Sequence, residues 1–330
     1  MLNVKAKLKE NIFGTPDMAA TRDGFGQALL ELGAKDPRVV VLCADLAEST
    51  RVLAFKDKYP DRYIELGVAE QNLATVASGL AAYGKIPFIT SYATFSPGRN
   101  NEQIRTTISL NNVPVKIAGA HAGVSVGPDG ATHQALEDMA LMRVQPNMTV
   151  LSPCDSEEAR KATLAAAVHP GPVYIRLTRE KSPVMTTADS TFALGKAVAV
   201  WESDHAPQVA VFATGPLLYQ ALLAAKELEH TLPVAVINIA SVKPLDCDTI
   251  LHYARDAGAV VTVEEHQVAG GLGSAVAEVL AAHCPVHMEF VGVQDRFGQS
   301  GTPKELIEYY GMAPSHIAAA IRKAQARKSV

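Results

Sequence analysis

The sequence predicts an α/β protein: a doubly wound, mostly parallel sheet domain followed by a smaller α/β domain. Three observations carry this. Short continuous apolar runs, such as Val39 to Leu42, PFITSY and VKIAGA, alternate with stretches of helical spacing, as in strands that crossover helices bury on both faces. The alternation lapses over VMTTADSTFALG, residues 184 to 195, which reads as a linker. It then resumes with VAVFAT, VAVINI, AVVTVE and HMEFVG. A chain of 330 residues accommodates two such units. The expected bounds are an arm over 1–17, a first domain over 18–183, the linker over 184–195 and a second domain over 196–330.

In chain order, residues 1–17 are polar and mixed in charge, closed by Gly14 and Pro16, and read as an arm that packs late or against a partner. Phe25, Ala28, Leu29 and Leu32 mark the first helix, which Gly33 is expected to end before strand Val39 to Leu42. The extended YIEL comes next. From Leu73 the apolar residues Val76, Ala77, Leu80 and Ala81 recur at the spacing of an amphipathic helix, with Gly84 as its stop. Glu70 then sits in or just before the first turn, where free N–H groups and the helix dipole favour a carboxylate. Acids in first turns are common, so this position alone names no function. Strand PFITSY, a helix through Ile104 and Ile108, strand VKIAGA and a glycine-rich loop follow. A helix near Glu137 to Arg143, strand MTVLSP, a helix from Ser156 and strand VYIRL complete the first domain. In the second, helices are expected from Pro216, Asp246 and Gly273, with another after Pro314.

Hydrophobic residues make up 48% of the chain and charged residues 19%, which suits compact domains with filled cores. A net charge of −4 offers no broad basic field, so nucleic acid is not an expected partner. Cys43, Cys154, Cys247 and Cys284 lie far apart, with no pair at metal-ligand spacing. The first residues, MLNVKAKLKENIFG, lack an apolar signal core, and no run of about eighteen apolar residues marks a membrane span. A reduced, cytoplasmic setting is the expectation.

Chemistry concentrates in a few stretches. HAGVSVGPDGATHQALED, residues 121–138, uses Gly127, Pro128, Asp129 and Gly130 as turn residues and carries His121, Asp129 and His133 at strand and loop ends. EEHQVAGGLGSA ends a strand and starts a helix, but without the GxGxxG spacing of a dinucleotide site, and reads as a structural turn. Read without a family, the histidines could equally be surface groups, and an isolated arginine is more often solvated than functional.

GVAEQN, preceded by YIEL and followed by a small-residue helix, resembles the transketolase segment that carries the glutamate acting on thiamine diphosphate. The histidine loop resembles the family's segment ending in DGPTHQ. The resemblance spans roughly residues 18–325 and implies a pyrimidine-type thiamine diphosphate-binding domain followed by a transketolase C-terminal domain. It gives Glu70 the role of hydrogen-bonding the aminopyrimidine from a protonated carboxyl. It makes His121, Asp129 and His133 the residues that contact sugar hydroxyls, with both histidines catalytic. Arg22 in ATRDGFG, Ser49 in ADLAEST and Arg179 in IRLTREKSP match positions that bind the sugar's terminal phosphate, a task that suits the planar guanidinium fork. Asp45 matches a position of the cofactor pocket and dimer interface.

The sequence departs from the family after TF in SYATFSPGRNNEQIR. Phe95 matches the first aromatic of the aminopyrimidine bed, Tyr92 could substitute in part, and Gly98 and Asn101 replace later aromatics. Arg99 resembles an arginine found nearby in deoxyxylulose phosphate synthases. The GDG motif and downstream asparagine that bind metal and diphosphate in full-length members have no match. The resemblance therefore implies the C-terminal subunit of a split transketolase, sharing thiamine diphosphate with an N-terminal subunit that binds Mg2+ (or Ca2+). A dimer of heterodimers acting on sugar phosphates, with no metal held by this chain, is the corresponding assembly. The rivals are a deoxyxylulose phosphate synthase-like subunit, against which His121 argues, and a 2-oxo acid dehydrogenase beta subunit, which lacks the DGxTHQ loop. A non-catalytic binding or regulatory partner is the rival from another class.

Overall fold

The computed structural model describes residues 1–328. Its first sheet has seven strands in the order Ser241–Lys243, Thr149–Leu151, Val173–Arg176, Lys116–Ala120, Ile86–Tyr92, Val39–Cys43 and Tyr63–Glu65. Six run parallel, and all but the edge strand Tyr63–Glu65 are largely buried, as crossover connections require. Phe25, Leu29, Phe55 and Phe88 pack on one face; Leu73, Ala77, Ile89 and Ile104 pack on the other. Strand order reverses between Val39–Cys43 and Ile86–Tyr92. That switch point opens a crevice at the carboxyl edge, where open parallel sheets hold ligands.

The second sheet orders His287–Val293, Ala259–Gln267, Val209–Ala213, Val234–Asn238 and Val198–Trp201, the last antiparallel. The α/β expectation holds in both sheets. The seventh strand of the first sheet was not foreseen: Ser241–Lys243 crosses from the second half of the chain and pairs antiparallel with Thr149–Leu151. Residues 184–195 are also packed. Asp155 accepts from the N–H groups of Met185 and Thr186 at 2.8 and 2.6 Å, fastening the segment expected to link the domains.

Other departures have local causes. Helix Thr21–Lys35 runs past Gly33, because glycine there makes room for a neighbour: a Cβ would lie 2.5 Å from the Tyr59 ring. In helix Glu70–Ala82 the buried stripe is Leu73, Ala74, Ala77, Ser78 and Ala81, while Val76 is exposed. Ile104 and Ile108 lie in a π-helical turn, Ile104–Ser109, that follows a single α-turn at Asn101–Gln103. Helix Pro303–Tyr309, absent from the sequence reading, carries a capping box between Thr302 and Glu305 and proline at its start, a signal present in TPKE. Helix Leu53–Lys58 was likewise not anticipated. The arm packs on the second domain of its own chain, with Ile12 fully buried and Asn3 N–H donating to Val200 O at 3.0 Å. Among the described residues no helix is long and apolar enough to cross a membrane.

Candidate active site

The crevice is built from strand ends. Tyr92 closes Ile86–Tyr92, His121 follows Lys116–Ala120, and Arg179 lies three residues beyond Val173–Arg176. Glu70 is the first residue of its helix and is 1% exposed. Its Oε2 accepts from Arg99 Nη1 at 2.7 Å, and its Oε1 from Ser91 Oγ at 3.4 Å. Asn100 Nδ2 donates to the Glu70 carbonyl at 2.9 Å, fixing the helix start. Arg99 thus holds Oε2 by a charge-assisted bond, while Oε1 has only the long contact to Ser91.

Tyr92 and Phe95 form an aromatic wall, stacked at 6.0 Å with 19° between their planes. Tyr92 also stacks on His121 at 3.9 Å. His133 meets Phe95 and Tyr92 edge-on at 5.5 and 6.0 Å. Arg99 lies over Phe95 at 5.3 Å and so joins this wall to Glu70. Gly98 and Asn101 stand where the later aromatics would be, leaving Tyr92 and Phe95 as the flat surface.

Arg22 reaches this wall from the helix Thr21–Lys35. Its Nη1 donates to Ser49 O at 2.6 Å and lies 3.4 Å from His121 Nε2. Burial, then Arg51 and Arg179, lower the Arg22 pKa from its ordinary value, so three guanidinium groups share one field. Arg51 went unnoticed in the sequence, although it stands two residues after Ser49. Its ion pair with Asp23, at 2.7 Å, aims it from a left-handed turn that no sequence pattern announces. Burial first, then Arg22, pulls the His121 pKa down to about 3, leaving a neutral imidazole at physiological pH. Arg179 pairs with Asp129 at 3.2 Å and also donates to Val126 O at 3.1 Å, tying the histidine loop to the arginine cluster.

Asp45 is the site residue that makes no contact with this group. It is exposed, with φ 58°, and its N–H donates to Glu65 Oε1 at 2.7 Å. Ser49 takes part through its carbonyl, by the bond to Arg22.

Buried atoms without partners test whether a heterocyclic cofactor suits the crevice. His121 Nδ1, Arg22 Nε, Thr94 Oγ1 and Asn100 Oδ1 are buried without a hydrogen bond, beside the aromatic wall. Their setting fits the aminopyrimidine end of thiamine diphosphate. Among the described residues no three His, Cys, Asp or Glu side chains gather to hold a metal. The turn of EEHQVAGGLGSA is filled by the chain itself: Glu264 accepts from Leu272 N–H and Gly273 N–H at 2.7 and 2.8 Å.

Residues 17–184 match the transketolase pyrimidine-binding domain and residues 196–317 the transketolase C-terminal domain. The 6-deoxy-6-sulfo-D-fructose transketolase subunit of Clostridium sp. (strain MSTE9) is 40% identical over 309 residues, covering 93% of this chain and 95% of that one. The 1-deoxy-D-xylulose-5-phosphate synthase of Leptothrix cholodnii is 36% identical over 94% of this chain, which spans 48% of that longer protein. Among solved structures, a split gene transketolase, an inactive β4 tetramer, superimposes with a TM-score of 0.87 at 45% identity, covering 94% of this chain and 99% of that one. With both domains matched and the crevice lined as described, the chain belongs to the transketolase family.

Proposed function

We propose that this chain is the C-terminal subunit of a split transketolase. It would transfer a two-carbon ketol unit from a ketose phosphate such as xylulose 5-phosphate to an aldose phosphate. One observation carries the reading: Arg22 contacts His121, which stacks on Tyr92, so an arginine cluster and an aromatic wall form one continuous surface. A sugar phosphate needs the first and a thiamine ring the second.

Thiamine diphosphate, when bound, supplies the carbon nucleophile that carries the ketol unit. Glu70 would hold the aminopyrimidine by a hydrogen bond, and Tyr92 and Phe95 would bed the ring. Neutral His121 can accept or donate a hydrogen bond without adding charge to an already cationic corner. With His133 and Asp129 it orients hydroxyls and moves protons between them. Arg22, Ser49 and Arg179, joined by Arg51, hold the terminal anion.

The diphosphate and its Mg2+ (or Ca2+) are assigned to a separate N-terminal subunit in a dimer of heterodimers. The likeness to proteins described as subunits or as split supports this, as does the exposed side of the helix that Glu70 begins. There Val68, Val76 and Tyr83 are 70%, 37% and 90% exposed, an apolar strip suited to a partner. A second reading concerns the donor. The Clostridium relative acts on a sulfonated ketose, and three arginines suit a sulfonate as well as a phosphate.

The test is ketol transfer from xylulose 5-phosphate to ribose 5-phosphate with thiamine diphosphate and magnesium, by the chain alone and with its N-terminal subunit. Activity in the mixture only is expected. Robust activity of the chain alone would refute the split arrangement. Replacing the donor by 6-deoxy-6-sulfofructose, or the substrates by pyruvate and glyceraldehyde 3-phosphate, separates the sulfonate and synthase readings.

A further inference from the structure

A second cleft, of about 530 Å³, lies between the two domains. None of the site residues described above lines it. Its walls are largely apolar, with Met18 from the first domain facing Leu217 and Ile307 from the second. Glu265 lines the cleft as well, at 3% exposure. This carboxylate comes from the Ala259–Gln267 strand, and among the described residues its hydrogen bonding comes from Ser125 alone, whose N–H donates to Oε1 at 2.6 Å. Ser182, also in the lining and 9% exposed, has a buried hydroxyl without a partner. The mouth carries Glu180 and Glu308 against Lys181 and Lys304, so its charges cancel and select no sign.

An apolar cleft that contains a buried carboxylate with spare acceptor capacity is incomplete in one particular way. An anionic ligand would meet like charge at short range, where little water screens it. A neutral apolar ligand would leave the spare acceptor positions of Glu265 without a donor. We propose that the cleft is a second ligand site for a small organic amine with an apolar body, its ammonium group seated on Glu265 and Ser182 and its body against Met18, Leu217 and Ile307. Burial pushes the Glu265 carboxyl up while Arg176 pulls it down, and a bound ammonium group adds to the pull of Arg176.

The site also touches the catalytic loop. A Cβ on Gly123 would lie 2.2 Å from Glu265 Oε1, so this carboxylate packs directly on the backbone between His121 and His133. An amine on Glu265 therefore bears on the segment that positions both histidines. The proposal does not rest on the reaction assigned to the active site.

Calorimetric titration of the full chain with n-hexylamine, 1-hexanol and hexanoate tests it. One hexylamine per chain is expected, bound about tenfold or more tighter than hexanol, the scale of a buried charge-assisted hydrogen bond. Hexanoate should bind more weakly than hexanol. Glu265→Gln keeps an acceptor for Ser125 and removes the charge, so hexylamine should lose at least that factor while hexanol is unchanged. Gln220→Trp, on the half-exposed side of the helix lining the cleft, should weaken both probes. Equal affinity for amine and alcohol, undiminished amine binding to Glu265→Gln, or no binding of any probe would overturn the proposal. Should Glu265→Gln fail to fold by circular dichroism, undiminished hexylamine binding to Gln220→Trp would overturn it equally.

Discussion

Glu70 and Glu264 invite comparison. Each is a buried glutamate at the carboxyl edge of a sheet, beside the start of a helix, one in each domain. Glu264 is satisfied from within: two backbone N–H groups of the helix Leu272–His283 close on it, and no side chain can be exchanged for them. Glu70 accepts instead from two side chains, Ser91 and Arg99, the latter 49% exposed. On the function proposed above, the difference separates a carboxylate that builds the fold from one that meets a ligand. What distinguishes them is the kind of donor, side chain against backbone, since burial and helix position are nearly the same.

The sharpest break of this comparison is a pair of exchanges assayed in the reconstituted complex. Glu70→Ala should lower kcat about 100-fold or more, the range of a lost proton-transfer group. Arg99→Ala should lower it far less. Equal losses would show Arg99 to be part of the machinery, and an unchanged rate in Glu70→Ala would favour a non-catalytic chain. Glu264→Ala should act on folding, costing about 3 kcal/mol by urea titration as two buried N–H groups lose their acceptor. A loss below about 0.5 kcal/mol would erase the distinction between the two glutamates.

Acid sensitivity sharpens the contrast further. His121 falls to about 3 in the folded chain, below its ordinary 6.5, so the unfolded chain takes up the proton first as pH drops. Stability is therefore lost as pH falls from about 6.5 toward 3, by roughly 2 kcal/mol at pH 4.5 for a group this buried. Urea midpoints at pH 7 and 4.5 should draw closer in His121→Gln. Glu264 runs the other way: burial, against the two N–H groups, raises it to about 7, so its contribution is lost as pH climbs from 4.5 through 7. The smallest effect is expected for Arg51→Ala, which should raise KM for the anionic substrate about tenfold. Its urea midpoint should barely move, because the ion pair with Asp23 lies at the surface.

Much of the fold was legible because its signals are local. Val39 to Leu42, VKIAGA and VAVINI announce buried parallel strands without reference to anything distant, and Asp246 caps the helix expected there. Gly33 misled because a glycine that ends a helix and one that admits a neighbouring ring look alike in sequence. The strand Ser241–Lys243 was hidden, since three residues carry no period and the partner lies some ninety positions away. At the site, the histidine loop and Arg22 stood out through their resemblance to a family. Arg51 and the Arg99 contact to Glu70 did not, because each depends on where a long side chain finds its opposite charge in three dimensions.

The strand that the second domain lends to the first sheet sets where the protein can be divided. Separated at 184–195, the first portion would present Thr149–Leu151 as a bare edge, three buried residues with open hydrogen-bonding groups, an invitation to stack on other copies. A cut in that segment therefore strips cover from the first sheet, and dissection of this chain in the laboratory has to carry both domains.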